Sequence, residues 1–222
     1  MSGPAHRPGE HVRPPGGAAA LVCGETVGED RVDALLAAAP PRDREGRPES
    51  LARAERQRRR WATQVVVVDE LARRACAERG TAPPQEVPQS LLPAVAAGDV
   101  ADLGSIVAVA LARSPAARAL LASLEGEQEV PEWAVREYYG NNRDRFLTSD
   151  ALRRGVEPFD EATPEDFLPY ERVREGIVRE LRRAAGRRAF FDWLDRSRSA
   201  VVYAEGYEHP GDPAHPDHEH RH

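Results

Sequence analysis

Residues 50–80 read SLARAERQRRRWATQVVVVDELARRACAERG, and this stretch decides the fold class. Its apolar side chains recur at intervals of three, four and seven residues, which is the spacing of one face of an α-helix. No proline or glycine interrupts the run before Gly80. A glycine at this position favours the end of a helix. The stretch therefore predicts one long amphipathic helix with an apolar stripe made of Leu51, Ala54, Trp61, Val65, Val68, Leu71, Ala72 and Ala75.

Start and stop signals predict further helices on both sides of this stretch. Asp30 is predicted to cap a helix that Pro40 ends, and Ser114 and Pro115 mark a break between two helices. Thr163 precedes a proline and two acids, which predicts the start of a closing helix of about 30 residues that Pro169 kinks or restarts one turn later. The predicted helical regions between these signals are 90–97, 99–124 and 129–146, and residues 147–162 are predicted to be an irregular connection.

Short strands and two tails complete the predicted organisation. Residues 19–28 read AALVCGETVG and predict a strand or hairpin, while residues 200–203 predict a short strand. Residues 1–17 are rich in proline and glycine, which is typical of a disordered lead. We therefore expect a lead at 1–17, one helical domain at 18–205 and a His- and Pro-rich tail at 206–222.

Composition excludes several classes of protein. The 31 basic residues are all Arg and the 37 acidic residues outnumber them, so the net charge of −6 argues against a general nucleic-acid binder. Two Cys residues cannot build a disulfide framework or a four-Cys zinc site. Neither a secretory signal nor an apolar run of about 20 residues is found. We expect a cytoplasmic protein, no membrane partner and reduced thiols at Cys23 and Cys76, both read as small buried side chains.

Three segments, taken in order, resemble the SurA-type and PpiC-type chaperones. ALVCGETV at 20–27 resembles the opening "VNGEPI" of that family, and VPEWAVREYYGNNRDRF at 130–146 resembles its "VTDEEVRAYYEANRDRF" helix. Residues 157–203 resemble its closing helix and strand through Ile177, Leu181, Ala189, Phe190, Trp193 and Leu194. The resemblance implies a mainly helical, all-α domain like the SurA N-terminal domain, with a short two-stranded element near Leu21 and Val202 that joins the two end segments.

The same resemblance implies what the chain does not do. In the complete family a parvulin prolyl-isomerase domain of about 90–100 residues lies between the YY…F helix and the closing helix, whereas here only 147–162 separates Phe146 from Thr163. All seven His residues lie in the two tails, so the isomerase residues have no positions to match. We therefore expect a non-enzymatic chaperone or assembly factor. No GxSxG elbow, Walker loop or dinucleotide motif argues for another enzyme.

Aromatic side chains in the two matched helices are the predicted client site. If exposed, they would line an apolar groove for a client polypeptide, and the alternative is packing between the helices. The predicted client-binding residues are Trp133, Tyr138, Tyr139, Phe146, Phe190 and Trp193. Whether the chain forms a homodimer is left open.

The tail supports a different function, that of a metal-binding accessory protein. Imidazoles bind Zn, Ni or Cu, and the predicted ligands are His209, His215, His218, His220 and His222. The alternatives are a disordered tail that binds metal incidentally, or a tail that packs on the body through Tyr207. A basic cluster at Arg56–Arg60 is interpreted as a solvated helix face, with a phosphate or RNA contact as its alternative.

Overall fold

The computed structural model describes residues 14–38, 47–81 and 97–208, and these ranges are mostly helical. The mainly helical prediction is therefore confirmed. Tertiary contacts divide the chain into two compact units. Unit 1 comprises Met1–Leu120 and Leu194–His222, and unit 2 comprises Leu121–Trp193. The sequence predicted a single helical domain at 18–205, and the whole of unit 2 and part of unit 1 fall within that range.

Seven α-helices and three strands lie within the described ranges. The strands are β1 (Ala18–Val22), β2 (Glu25–Gly28) and β3 (Val201–Tyr203). The helices are α1 (Glu29–Ala38), α2 (Pro48–Glu78), α3 (Ala97–Arg113), α4 (Pro115–Gly126), α5 (Glu132–Asn141), α6 (Ser149–Arg154) and α7 (Tyr170–Arg198). Short 3-10 turns follow α5 and precede α7, at Arg143–Phe146 and Pro164–Asp166.

The sheet of unit 1 has three antiparallel strands in the order β2-β1-β3, with all five residues of β1 buried. Leu21 pairs with Val202, so the predicted pairing of the two end segments is confirmed. The predicted count of two strands is wrong because the chain reverses at Cys23 and Gly24. Both residues have positive φ, 50° and 84°, which is the geometry of a two-residue hairpin turn.

Helix α2 is the main packing element of unit 1. It ends where predicted: Gly80 has a φ of 65°, and the amide of Thr81 donates to the carbonyl of Cys76 at 2.8 Å. Burial extends beyond the predicted stripe, because every residue from Ala62 to Val68 is buried, including Gln64. This part of α2 is therefore covered on all sides rather than along one face.

Ion pairs join α2 to the elements that precede it. The Arg31 guanidinium of α1 contacts the carboxylates of Asp69 and Glu70, each at 2.8 Å. Arg74 contacts Glu70 at 3.1 Å and Glu25 of β2 at 2.6 Å. These pairs fix α1 and the hairpin against one segment of α2. Asp30, predicted as an N-cap, lies inside α1 instead, because the helix begins one residue earlier at Glu29.

Helix breaks in the middle of the chain follow the predicted signals. Ser114 separates α3 from α4, and its Oγ accepts the amide of Ala117 at 2.9 Å, so the predicted cap is confirmed. The short helix predicted at 90–97 lies outside the described residues, except for Ala97. Within the described ranges no single helix has the length and apolarity of a membrane span, although Gly104–Arg113 and Pro115–Gly126 together reach that level.

Unit 2 contains α5, α6 and α7 up to Trp193. The prediction that 147–162 is irregular is wrong, because α6 forms there between a Thr148 cap and Gly155 in the left-handed conformation. Of the two effects predicted for Pro169, a kink or a restart of the closing helix, the restart is observed. Thr163 begins only a 3-10 turn, and α7 starts after Pro169, which cannot supply an amide to a continuing helix. An isolated antiparallel β-bridge between Leu147 and Phe167 joins the beginning and the end of the segment between α5 and α7.

Candidate functional site

Three of the predicted client residues belong to one hydrophobic cluster of unit 2. Phe146 is buried with Val135 and Ile177, and Tyr138 and Tyr139 pack against this cluster. The ring centroid of Phe146 lies 5.1 Å from that of Tyr139 and 6.4 Å from that of Tyr138. The structure therefore brings these three rings together as packing between helices, which was the alternative interpretation of the pattern.

The hydroxyl groups of both tyrosines are bound within unit 2. Tyr138 Oη donates to Glu180 Oε1 of α7 at 2.6 Å, and Arg145 contacts the same carboxylate at 2.7 Å. Tyr139 Oη donates to the carbonyl of Leu168 at 2.7 Å. These bonds orient the rings, so Tyr138 links α5 to α7 and Tyr139 links α5 to the segment that leads into α7.

A second set of Tyr, Glu and Arg side chains also links α5 to α7, and the sequence did not predict it. Tyr170 Oη donates to Glu132 Oε1 at 2.6 Å, and Arg174 contacts the same carboxylate at 2.8 Å. The hydrogen bonds from Tyr170 and Arg174 hold the pKa of Glu132 below its ordinary value. The pKa of Tyr170 is raised, mainly by burial and then by its bond to Glu132. Sequence offered no specific signal, because acids in a first helical turn are common.

The remaining predicted client residues fall into two environments. Phe190 is buried, and its ring lies 5.1 Å from that of the half-buried Trp193. Trp133 is different, because 67% of it is exposed on α5. Among the six predicted client residues, Trp133 is the one large apolar side chain that the structure places in solvent.

Two further exposed apolar residues of unit 2 were not predicted. Phe159 is 65% exposed and Leu152, on α6, is 61% exposed. The sequence showed no periodic pattern at 147–162, so it provided no means of assigning a face to either residue. In the described part of unit 1 the exposed large apolar side chains are less accessible, at 38% for Leu51 and Val100 and 41% for Val202.

The basic cluster at Arg56–Arg60 is largely engaged within unit 1. Arg58 contacts Glu55 at 2.6 Å, and Arg59 contacts Asp33 at 3.1 Å. Arg60 is buried and its Nε lies 3.8 Å from Glu208. The interpretation as a solvated face is therefore wrong for Arg58, Arg59 and Arg60, whereas Arg56 is exposed as expected.

Tyr207 anchors the end of the described chain on unit 1. It is 8% exposed, and its hydroxyl accepts a bond of 3.1 Å from Arg59. This bond raises the pKa of Arg59, whereas burial raises the pKa of Tyr207. Tyr207 therefore packs on the body, as one alternative for the stretch 207–216 had it, and residues 209–216 lie outside the described residues.

A cavity of about 500 Å³ lies beside this anchor in unit 1. Its wall combines backbone before β1 with side chains around the exit from β3, and its lining includes Pro14, Ala18, Glu29, Tyr203, Glu205 and Tyr207. Two of these side chains are carboxylates, and no basic side chain is among the described residues that line the cavity. The cavity therefore has an acidic wall.

The two cysteines occupy different environments. Cys23 is exposed, so its prediction as a buried thiol is wrong, because it occupies the tip of the β1-β2 turn. Cys76 is buried as predicted, and its Sγ lies 3.5 Å from the carbonyl of Ala116. Burial raises the pKa of the Cys76 thiol.

The predicted metal ligands lie outside the described residues. This applies to all five: His209, His215, His218, His220 and His222. Within 14–38, 47–81 and 97–208, no cluster of three or more His, Cys, Asp or Glu side chains is arranged to hold a metal ion. The described residues therefore contain a candidate client surface and an acidic cavity.

Comparison with known proteins finds no relative of this chain. No protein-family model matches it, no curated protein is similar to it, and no solved structure resembles its fold.

Proposed function

We propose that the protein is a non-enzymatic chaperone or assembly factor that binds a client polypeptide through apolar side chains of unit 2. The observation that carries the proposal is the exposure of Trp133, Leu152 and Phe159, which are the three most exposed large apolar side chains of the described chain. Covering such side chains removes apolar area from water, which contributes about 25 cal/mol per Å². Two of the three are ring systems, which are enriched where proteins bind partners.

This client surface differs from the groove predicted from the sequence. Tyr138, Tyr139 and Phe146 are occupied by packing within unit 2, and Phe190 is buried beside Trp193. In the proposal the first three hold α5 in place, so that Trp133 is presented on a rigid helix.

The resemblance to the SurA-type chaperones supports the proposal. That resemblance led us to expect paired end segments, and Leu21 and Val202 pair in the sheet. Between α5 and α7 the chain holds one short helix, α6, where that family carries an isomerase domain. Client binding without prolyl isomerisation is the function that fits both features.

A light-scattering assay of a thermally unfolding reporter enzyme tests the proposal. The unaltered chain is expected to suppress aggregation at roughly equimolar ratio, and the combined variant Trp133→Ser, Leu152→Ser, Phe159→Ser is expected to lose most of that effect. The matched control is Leu51→Ser, Val100→Ser in unit 1, which is expected to keep it. Equal suppression by the unit 2 variant and the control would contradict the proposed surface.

An isomerisation assay on a prolyl peptide tests the non-enzymatic part. The expected rate equals the uncatalysed rate, because the segment between α5 and α7 is too short for a parvulin domain and no His lies between positions 12 and 208. Acceleration that scales with protein concentration would refute this part and leave client binding standing.

We propose metal binding by the tail as a second function, because five of the seven His residues fall within 209–222. The structure shows where the chain can be shortened to test this function. Tyr207 and Glu208 contact α2, so a shortened chain should end at Glu208 to keep unit 1 intact. Calorimetric titration with Zn²⁺, Ni²⁺ or Cu²⁺ should show binding by the full chain and not by the chain ending at Glu208. Equal affinity in both would remove this function.

A further inference from the structure

A closed turn between α6 and α7 presents the ring of Phe159 to solvent. The amides of Glu161 and Ala162 donate to the carbonyl of Glu157, at 3.2 and 3.1 Å, and these bonds close the turn. Pro158 and Phe159 lie inside it, and Phe159 is 65% exposed. Aromatic side chains are enriched where proteins bind partners, so this ring is a candidate contact point.

Both ends of the turn are anchored in unit 2. Val156 and Ala162 pack against a buried cluster that includes Ala151 and Phe167. The amide of Val156 also donates to the carbonyl of Ala151 at 3.1 Å. A side chain on a turn that is already fixed loses little conformational freedom when a partner covers it. The position of Phe159 is therefore set before any partner binds.

The segment 155–165, which contains the turn, is strongly acidic. It holds four acids and no basic residue, so its formal charge is −4. The four acids are Glu157, Asp160, Glu161 and Glu165. All four are exposed, and none forms an ion pair with another described residue. The two basic residues that most closely precede the segment, Arg153 and Arg154, already contact Asp150, each at 3.2 Å. The charge of the segment is therefore available to a basic partner.

Other aromatic rings of unit 2 are covered by a guanidinium of the chain itself. The guanidinium carbon of Arg143 lies 3.9 Å from the ring centroid of Phe167, and that of Arg136 lies 4.5 Å from the ring centroid of Tyr170. Within the described ranges no guanidinium lies over the ring of Phe159. The face of this ring is therefore open to a cation from a partner.

We propose that this turn binds a basic segment of the client, with an Arg or Lys side chain stacked on the ring of Phe159. The charge of that side chain faces the carboxylates of Glu157, Asp160 and Glu161. The ring attracts a cation over its face, and the carboxylates add Coulombic attraction. Arg suits the turn better than Lys, because a planar guanidinium can stack on a ring and pair with carboxylates. This inference rests on the proposed client binding and names the chemistry of the client segment.

Fluorescence anisotropy of a dye-labelled peptide, with the full chain as the binding protein, tests the inference. The Arg probe is a short peptide with blocked ends in which Leu alternates with Arg, and the Glu probe carries Glu in place of Arg. The unaltered chain is expected to bind the Arg probe at least about tenfold more tightly, since three carboxylates attract one probe and repel the other. Added sodium chloride should weaken the binding of the Arg probe.

Variants of the full chain, checked for folding by circular dichroism, test the role of the turn. The charge variant neutralises its three carboxylates and is Glu157→Gln, Asp160→Asn, Glu161→Gln. The matched control neutralises three exposed carboxylates of unit 1 and is Asp30→Asn, Glu49→Gln, Glu78→Gln. The charge variant should weaken binding of the Arg probe about eightfold, which is about twofold for each exposed ion pair. The control should weaken it less, because its carboxylates do not flank the ring. Phe159→Leu keeps an apolar side chain without a ring face and should cost about threefold.

The outcomes separate this inference from the function on which it rests. Equal affinity for the two probes, or equal weakening by the charge variant and the control, would overturn the basic client. Client binding would still stand if the unaltered chain suppressed aggregation of the reporter enzyme. A dimer in sedimentation velocity that Phe159→Leu dissociates would assign the turn to a second copy of the chain and also overturn the inference. An unaltered chain that neither binds a probe nor suppresses aggregation would overturn both.

Discussion

A glycine on α7 lies close against α4 in unit 2, and replacing it tests how that unit packs. Gly186 is buried against α4, where a Cβ atom added at this position would lie 2.8 Å from Cα of Glu125. Real Cβ atoms do not approach a backbone atom so closely, so Gly186→Ala must separate the two helices. Overpacking of this kind costs about 1–3 kcal/mol.

The helix propensity of alanine opposes this cost. Alanine is better than glycine inside a helix by about 1 kcal/mol, which offsets part of the overpacking. We therefore expect Gly186→Ala to lower the free energy of unfolding by about 1 kcal/mol net. Gly176→Ala is the matched control on the same helix, because its added Cβ would meet nothing closer than Arg179 Nη2 at 4.0 Å. The control should raise the free energy of unfolding by about 0.5–1 kcal/mol.

Urea denaturation followed by far-ultraviolet circular dichroism measures both variants. The two midpoints should move in opposite directions from that of the unaltered chain, with no change in slope. Equal stabilisation by both alanines would refute the close approach of α7 to Glu125. A change in the dependence of the unfolding free energy on urea for Gly186→Ala alone would show instead that this variant changes the surface area exposed on unfolding.

Three further predictions concern single side chains. Hydrogen bonds from the Thr163 amide and hydroxyl lower the pKa of Asp166. The stability that this carboxylate contributes is therefore present above about pH 4 and is lost as pH falls through the lowered pKa. Asp166→Asn should flatten this pH dependence of the free energy of unfolding in urea melts. Cys23→Asn should raise the melting temperature slightly, because Asn tolerates the positive φ of a hairpin turn better, and a lower melting temperature would contradict the turn geometry. A thiol reagent should modify Cys23 quickly and Cys76 only on unfolding, and two fast thiols would contradict the burial of Cys76.

Features set by neighbouring residues along the chain could be predicted from the sequence. Gly80 ends α2 because a left-handed residue closes a helix, and Ser114 caps α4 because its hydroxyl reaches an amide three residues on. The pairing of Leu21 with Val202 is a longer-range feature, and it was expected only from the resemblance to a known family. Local signals thus located most helix boundaries to within a few residues.

Burial could not be read from the same patterns. Gln64 lies between apolar residues of α2 and is fully buried, because neighbouring elements cover both sides of the helix there. Trp133 and Phe146 belong to one matched segment, yet the first is 67% exposed and the second 8%. Periodicity defines which side chains share a face, whereas the elements that cover that face are contributed by distant parts of the chain.

For the candidate sites, too, some features follow from the sequence and others only from the tertiary structure. The sequence alone determined that the chain is mainly helical, that it carries Arg and no Lys, and that every His lies in the two end segments. Only the tertiary structure decided that most of the predicted client aromatics are used in packing, and that both end segments attach at one acidic cavity. The physical reason is that strand pairing between β1 and β3 brings together residues about 180 positions apart, a distance over which no local pattern carries information.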